Sequence, residues 1–280
     1  MKSRKPIIAI MYDFDKTLCT KDMQEYTFIP SLDLSAEKFW EETDKLAKKE
    51  GMDSILTYMY LMLRMSRDKH KPISRNEFKN CGKDVKLFPG VEDWFDRINK
   101  FGEEHGVEIE HYIISSGLRE IIEGSIIADR FKKIYACEYH YDENGIADWP
   151  KVAVNFTNKT QFLFRINKGL MNLGDDRNVN TYVPEDKRRV PFRNMIYIGD
   201  GMTDVPCMKL VNVNGGTSIA VYNKKPSDTV KQLLEENRVN FIAPANYNDG
   251  KELDSLIKDV IVKNAVVEKL ITKSNKQHNI

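Results

Sequence analysis

The chain has 280 residues, room for one large domain or for one domain carrying a smaller insert. Charged residues make up 30% and hydrophobic residues 41%, an ordinary globular balance, and a formal net charge of +1 supplies no field for a polyanion, so nucleic acid is not an expected partner. No apolar run approaches a membrane span, the run behind Lys2, Arg4 and Lys5 stops at Tyr12-Asp13, too early for a signal peptide, and the widely spaced Cys19, Cys81, Cys137 and Cys207 form no C-x-x-C pair, so a cytoplasmic protein with reduced thiols is expected.

Residues 7–11 form a short apolar run that predicts a buried strand. It enters Asp13-Phe14-Asp15-Lys16-Thr17-Leu18 directly. If the strand ends at Asp13 and the chain turns, both carboxylates face one site. That suits a carboxylate nucleophile beside a carboxylic acid, with a metal ion offsetting their repulsion. From Leu18 to about Lys86 the pattern is helical. Ser35 caps a helix carrying Phe39, Trp40, Thr43, Leu46 and Ala47. Residues 55–65 are apolar on almost every face, which predicts a helix buried between partners. Ser74 and Glu77 form a capping box ahead of a third helix holding Phe78.

An α/β rhythm resumes at Val91. Val91, Trp94, Phe95, Ile98 and Phe101 mark a helical face, and 108–114 predicts a strand ending in Ser115-Ser116-Gly117. A helix over 118–129, a strand over 133–138 and a hairpin through 139–155 around Asp142-Glu143-Asn144-Gly145 follow. Lys159-Thr160 opens an amphipathic helix. The segment 169–194 holds Gly174-Asp175-Asp176-Arg177 and Glu185-Asp186-Lys187-Arg188-Arg189 with little periodicity. At 26 residues (194−169+1) it exceeds most structureless connections and is set off as an irregular insertion. Its position after a helix that runs back toward the amino ends of parallel strands puts it on the face away from the chemistry. Residues 195–198 predict a strand entering Gly199-Asp200-Gly201-Met202-Thr203-Asp204, with acidic residues four apart at a helix start. A fifth strand over 217–222 and helices around Val230-Leu233-Leu234 and over 253–271 close the domain, and the polar tail from Thr272 is expected to fray, with 274–280 set off as flexible.

These pieces, in this order over residues 7–222, resemble the haloacid dehalogenase (HAD) superfamily of aspartate-nucleophile phosphatases, and in layout its phosphoserine-phosphatase-like group. The resemblance implies an α/β fold, a Rossmann-like doubly wound parallel sheet. Its catalytic core would comprise 1–18 and 87–273. A small all-helical C1-type cap over 19–86, inserted after the first strand, would cover the catalytic face as a lid. It implies Asp13 as nucleophile and Asp15 as acid and base. Thr17, Ser115, Ser116, Gly117 and Lys159 would bind phosphate. Mg2+ would be held by the Asp13 side chain, the Asp15 backbone carbonyl and Asp200, with Asp204 orienting a metal-bound water or a ligand. Hard oxygen ligands suit magnesium, and no histidine lies in these motifs to suggest zinc.

Plainer roles stand beside several of these. Thr17 is also a turn hydroxyl, and Asp204 is also a helix N-terminal aspartate stabilised by the dipole. Ser115 is the preferred phosphate contact, with Ser116 as an N-cap and the Ser116-Gly117 amides opening a helix. Lys151 and Lys168 rival Lys159. Gln24, Glu25, Tyr26, Tyr58 and Tyr60 are either substrate contacts or cap packing. The expected function is magnesium-dependent hydrolysis of a small phosphorylated metabolite through an aspartyl-phosphate. The alternatives are a phosphotransferase or phosphomutase with the same nucleophile, in which glycine usually stands where this chain has Lys16, and a non-catalytic phospholigand-binding protein on the same scaffold. Neither the substrate nor the oligomeric state is written in a portable motif.

Overall fold

The computed structural model describes residues 5–174 and 176–278. Strand β1 (Ile7–Tyr12) is buried at all six positions, because it lies at the centre of a sheet covered on both faces, where a strand has no polar side to show. A 3-10 turn (Met23–Glu25) follows, with helices α1 (Phe28–Ser31), α2 (Ala36–Glu50), α3 (Ser54–Asp68) and α4 (Arg75–Cys81). Helix α5 (Val91–Glu104) leads to β2 (Glu108–Leu118), and α6 (Arg119–Gly124) to β3 (Lys133–Tyr141), which turns back as β4 (Ala147–Val152). Helix α7 (Lys159–Lys168) and the helical turn α8 (Asp176–Val179) precede β5 (Met195–Gly199). Then come α9 (Val205–Val213), β6 (Thr217–Tyr222), α10 (Asp228–Glu235), β7 (Phe241–Pro244) and α11 (Glu252–His278).

The seven strands lie in the order β4-β3-β2-β1-β5-β6-β7. All neighbours are parallel except β4, which is antiparallel to β3. From β1 the chain builds outward through β2 and β3 on one side and through β5, β6 and β7 on the other. The sheet is therefore doubly wound, with its switch point between β1 and β5, and the crevice at the carboxyl ends of those strands is where such sheets bind ligands.

The helices form for legible reasons. Ser35 Oγ accepts the Lys38 N–H at 3.2 Å, and Ser74 with Glu77 makes the reciprocal capping box. Four expectations need correction. Helix α3 is not buried all round, since Leu56 and Tyr60 are 40% and 46% exposed. The helix expected over 118–129 shrinks to α6, because β2 continues to Leu118, which pairs with Cys137 beyond a register shift. Strand β7 went unread, being four residues long and ending in proline. The tail expected to fray continues as helix to His278, since no glycine or proline interrupts it; Asn279 and Ile280 lie outside the described residues.

The helices between β1 and β2 leave and return through a narrow neck, where Cys19 bridges Leu87 and the Thr20 N–H donates to Lys86 O at 3.0 Å. Further ties join these helices to the rest of the chain. The Ala147 N–H donates to Ile73 O (2.8 Å), Tyr139 OH to Met59 O (2.7 Å) and Tyr58 OH to Ser116 O (2.7 Å). Phe78 stacks on Tyr139 with ring centroids 5.4 Å apart, and the Arg75 guanidinium lies over Tyr141. At the opposite end of the sheet, the irregular 169–194 segment is anchored rather than loose. Val190 is buried and exchanges hydrogen bonds with Asn167 (3.1 and 2.7 Å), and Arg189 binds Glu110 near the start of β2. Asp175 of that segment lies outside the described residues.

Candidate active site

Strand β1 stops at Tyr12, yet the Asp13 N–H still donates to Ile198 O of β5 at 2.9 Å. The chain then turns, with Leu18 N–H donating to Phe14 O (2.9 Å) and Lys16 at a φ of 54°. Asp13 and Asp15 consequently face one cavity of about 330 Å3. Beyond β5, Asp200 follows Gly199 at the rim, and the chain doubles back so that the Asp204 carboxylate lies against Gly199. A Cβ at position 199 would stand 2.5 Å from Asp204 Oδ2, which is why this turn requires glycine. Lys159 projects from the first turn of α7 and is wholly buried. Its Nζ lies 3.0 Å from Asp13 Oδ1 and 2.8 Å from Asp204 Oδ1. Tyr197 OH also donates to Asp204 Oδ1 (2.8 Å), and the Gly201 N–H donates to Oδ2 (3.4 Å). Asp13, Asp200 and Asp204 offer oxygens within 4.8 Å of one another.

Asp13 and Asp204 thus share one ammonium, with the Asp200 carboxylate beside them. Burial pushes the Asp13 carboxyl up to about 7, with Lys159 pulling it down and the Asp204 charge pushing it further up. Burial, then the charges of Asp204 and Asp13, hold Asp200 well above the usual carboxylate range. Asp15 is also raised well above that range, by burial and by the charges of Asp22 and Asp13, against an opposing hydrogen bond from the Met23 N–H. Burial works against a charged Lys159, but Asp13 and Asp204 outweigh it and hold the amine above the ordinary lysine value. An excess of hard, negatively charged oxygens fits a divalent cation of the magnesium kind. Asp204 is the least available donor, since both its oxygens already accept hydrogen bonds from the protein.

The remaining sequence-predicted residues fall less uniformly. Ser116 lines the cavity and its buried hydroxyl has no protein partner. Ser115 sits behind it, its Oγ accepting the Gly117 N–H at 3.0 Å. The Ser116 and Gly117 amides therefore do not open a helix; they belong to β2, and the helix starts at Arg119. Thr17 is buried outside the cavity lining with an unpartnered hydroxyl, and its carbonyl accepts from Tyr247 OH (2.9 Å). Of the rival lysines, Lys151 pairs with Glu138 (2.9 Å) and Lys168 binds Val179 O, so neither approaches the carboxylates. Sequence reasoning missed Tyr197, a strand residue outside any motif. It also missed the far wall, where Asp22, Trp40, Asp44 and Ile55 join the anticipated Gln24 and Tyr58. Only the helical stripe through Trp40 and Thr43 hinted at that wall, and core packing explains such a stripe equally well.

Comparison with known proteins sets this geometry in context. The model of a family described as Putative Phosphatase matches residues 8–261. An uncharacterized protein of Borreliella burgdorferi is 32% identical over 288 residues, covering 93% of this chain and 99% of its own length. Among solved structures, a HAD family hydrolase from Salmonella enterica serovar Typhi superposes with a TM-score of 0.56 at 16% identity, over 91% of this chain and 71% of that one. A phosphoserine phosphatase, solved as an analogue of its phospho-aspartyl intermediate, gives 0.55 at 14% identity, over 91% and 99%. At such identities the structural likeness is one of fold.

Proposed function

Because this chain belongs to the Putative Phosphatase family and has the HAD phosphatase fold, we propose that it hydrolyses a small phosphate monoester through a covalent phosphoryl-aspartate. The observation that carries the proposal is the buried Asp13–Lys159–Asp204 array beside Asp200 at the switch point of the sheet. Asp13 attacks phosphorus, and the P–O bond to the leaving group breaks. Asp15, whose carboxyl is raised well above the usual range by burial and by the charges of Asp22 and Asp13, gives its proton to the departing oxygen. The ionised Asp15 then takes a proton from water as that water attacks the phosphoryl group. This second step releases phosphate and restores the Asp13 carboxylate. Lys159 balances charge on the phosphoryl oxygens and holds Asp13 in line, and Ser116 offers its free hydroxyl to the same oxygens.

Magnesium would be held by the Asp13 and Asp200 carboxylates and the Asp15 carbonyl, with Asp204 as orienter. It would supply the positive charge that lets an anionic nucleophile meet an anionic ester. The helices over 19–86 act as a cap, and the wall they contribute, from Asp22 to Tyr58, shapes the subsite for the leaving alcohol. Among the described residues no helix is long and apolar enough to cross a membrane.

Turnover of 4-nitrophenyl phosphate by the purified chain tests the reading. Activity with magnesium that disappears in chelator and returns on re-addition supports it. Undiminished activity in chelator, or dependence on zinc alone, contradicts the metal assignment.

A further inference from the structure

The first residue of the 3-10 turn Met23–Glu25 meets the site in three ways. Its N–H donates to Asp15 Oδ1 at 2.7 Å. Its Sδ accepts the Leu118 N–H at the end of β2, 3.1 Å away. Its Cε occupies the space that a Cβ on residue 117 would need, and that same Cβ would stand 2.8 Å from Asp15 Oδ2, so Gly117 leaves room for both. Met23 itself is fully buried. The loop between Asp15 and Met23 is closed again by Lys16 on Asp22 (2.6 Å) and by Cys19 Sγ on Lys21 O (3.1 Å).

A carboxylic acid that must deliver one proton has two oxygens and a loose final torsion. A donor on Oδ1 makes that oxygen the acceptor and leaves Oδ2 to carry the proton. The donor here is a main-chain amide with no rotamer of its own, fixed in place by a side chain wedged against β2. We propose that Met23 is the positioning residue for Asp15: its amide selects the proton-bearing oxygen, and its thioether ties that amide to the end of β2. The proposal rests on the reading of Asp15 as acid and base. As the P–O bond breaks, the bonding pair goes to the leaving oxygen and the Oδ2 proton follows. The Met23 hydrogen bond then falls on an ionised carboxylate and strengthens, so it stabilises the transition state more than the ground state. The cap thereby contributes to the chemistry as well as to enclosure.

The test uses the full chain with magnesium and a series of ring-substituted phenyl phosphates, reading kcat against leaving-group basicity. Asp15→Asn calibrates it: poor leaving groups should suffer far more than good ones. Met23→Leu keeps the amide but loses the thioether tie to the Leu118 N–H, and should show the same selective loss in smaller measure. Met23→Pro removes the N–H at a position where proline is tolerated, the first residue of a helical turn, after Asp22, whose ψ of 131° suits a following proline. It should cost about tenfold with phenyl phosphate and under about threefold with 2,4-dinitrophenyl phosphate. Gly117→Ala, which displaces Met23 and Asp15 together, should give the same selective loss and serves if the proline variant does not fold. A uniform loss, or none, in these two variants overturns the proposal. If Asp15→Asn itself shows no selectivity, the acid–base reading falls and takes the proposal with it.

Discussion

Two clusters of buried charge occupy opposite ends of one sheet, and they are built on opposite terms. At the carboxyl end, Asp13 and Asp204 share Lys159 with Asp200 close beside them, and the carboxyls of Asp13 and Asp200 are pushed upward. At the amino end, the single carboxylate of Glu110 takes both terminal nitrogens of Arg189, the Lys132 ammonium and Tyr112 OH. Burial alone would raise Glu110, but the hydrogen bonds from Arg189, Lys132 and Tyr112 outweigh it and hold the group down at about 2. Along β2, Glu110 and Ser115 are five residues apart, roughly 16 Å of strand. The fully matched cluster serves the fold. The unmatched one leaves negative charge uncompensated, and under the proposed function a cation would balance it.

Removing charge at each end should therefore have opposite consequences. The largest effect belongs to Asp13→Asn, which should lower kcat toward aryl phosphates by about four orders of magnitude while circular dichroism stays native. Glu110→Gln should do the reverse. It strands Arg189 and Lys132, costs about 2 kcal/mol in urea unfolding and leaves kcat within about threefold. The loss falls short of that for a fully buried pair because Lys132 is 41% exposed.

Acid should separate the two ends further. Glu110 has a folded value below its ordinary 4.5, so its contribution is complete above pH 4.5 and disappears as the pH falls toward 2. His111 follows the same sign. Trp94 Nε1 donates to Tyr12 OH (2.8 Å), so Tyr12 gives its own proton to His111 Nδ1 (3.0 Å), and Nε2–H donates to Asn99 (3.0 Å). Burial holds this neutral ring down at about 3. Unfolding free energy should fall from pH 6.5 downward, by up to about 1.4 kcal/mol per pH unit for the one proton. The slope should flatten in His111→Gln.

The smallest effect is at the site itself. In metal-free protein a raised Asp13 favours the fold at low pH and loses that advantage between 3.8 and about 7. Asp13→Asn should therefore become relatively more stable across that window, by about 1 kcal/mol. A variant that is less stable than the parent at pH 8 would contradict the idea of an unmatched site.

The carboxyl end was readable because its motifs are local in sequence. Asp13 with Asp15, and Asp200 with Asp204, each lie on one strand-turn unit, so the pattern of apolar run, turn and carboxylate survives without knowledge of the fold. Lys159 was identified because it begins its helix, and burial against Asp13 and Asp204 separates it from Lys151 and Lys168. Pairings between distant segments left no such trace. Glu110 with Arg189, Tyr58 with Ser116, and Met23 with Leu118 each join residues whose spacing is set only by the folded sheet. The directional argument agrees with the contacts of Arg189 with Glu110 and of Val190 with Asn167, because the sense of a helix between parallel strands is a rule of topology. The order of the two serines was decided by family pattern, whereas the serine that lines the cavity and has an unpartnered hydroxyl is Ser116.

The central claim is that Asp13 carries the phosphoryl group. Asp15→Asn mixed with 2,4-dinitrophenyl phosphate and magnesium, quenched in acid and read by intact-protein mass spectrometry, tests it directly. A leaving group that needs no proton should phosphorylate this variant, and an intermediate deprived of its base should persist. The account predicts a gain of one phosphoryl mass that maps to the peptide containing Asp13 and is missing from Asp13→Asn/Asp15→Asn. No adduct in an Asp15→Asn variant that still turns over the ester, or an adduct that survives in the double variant, would contradict it.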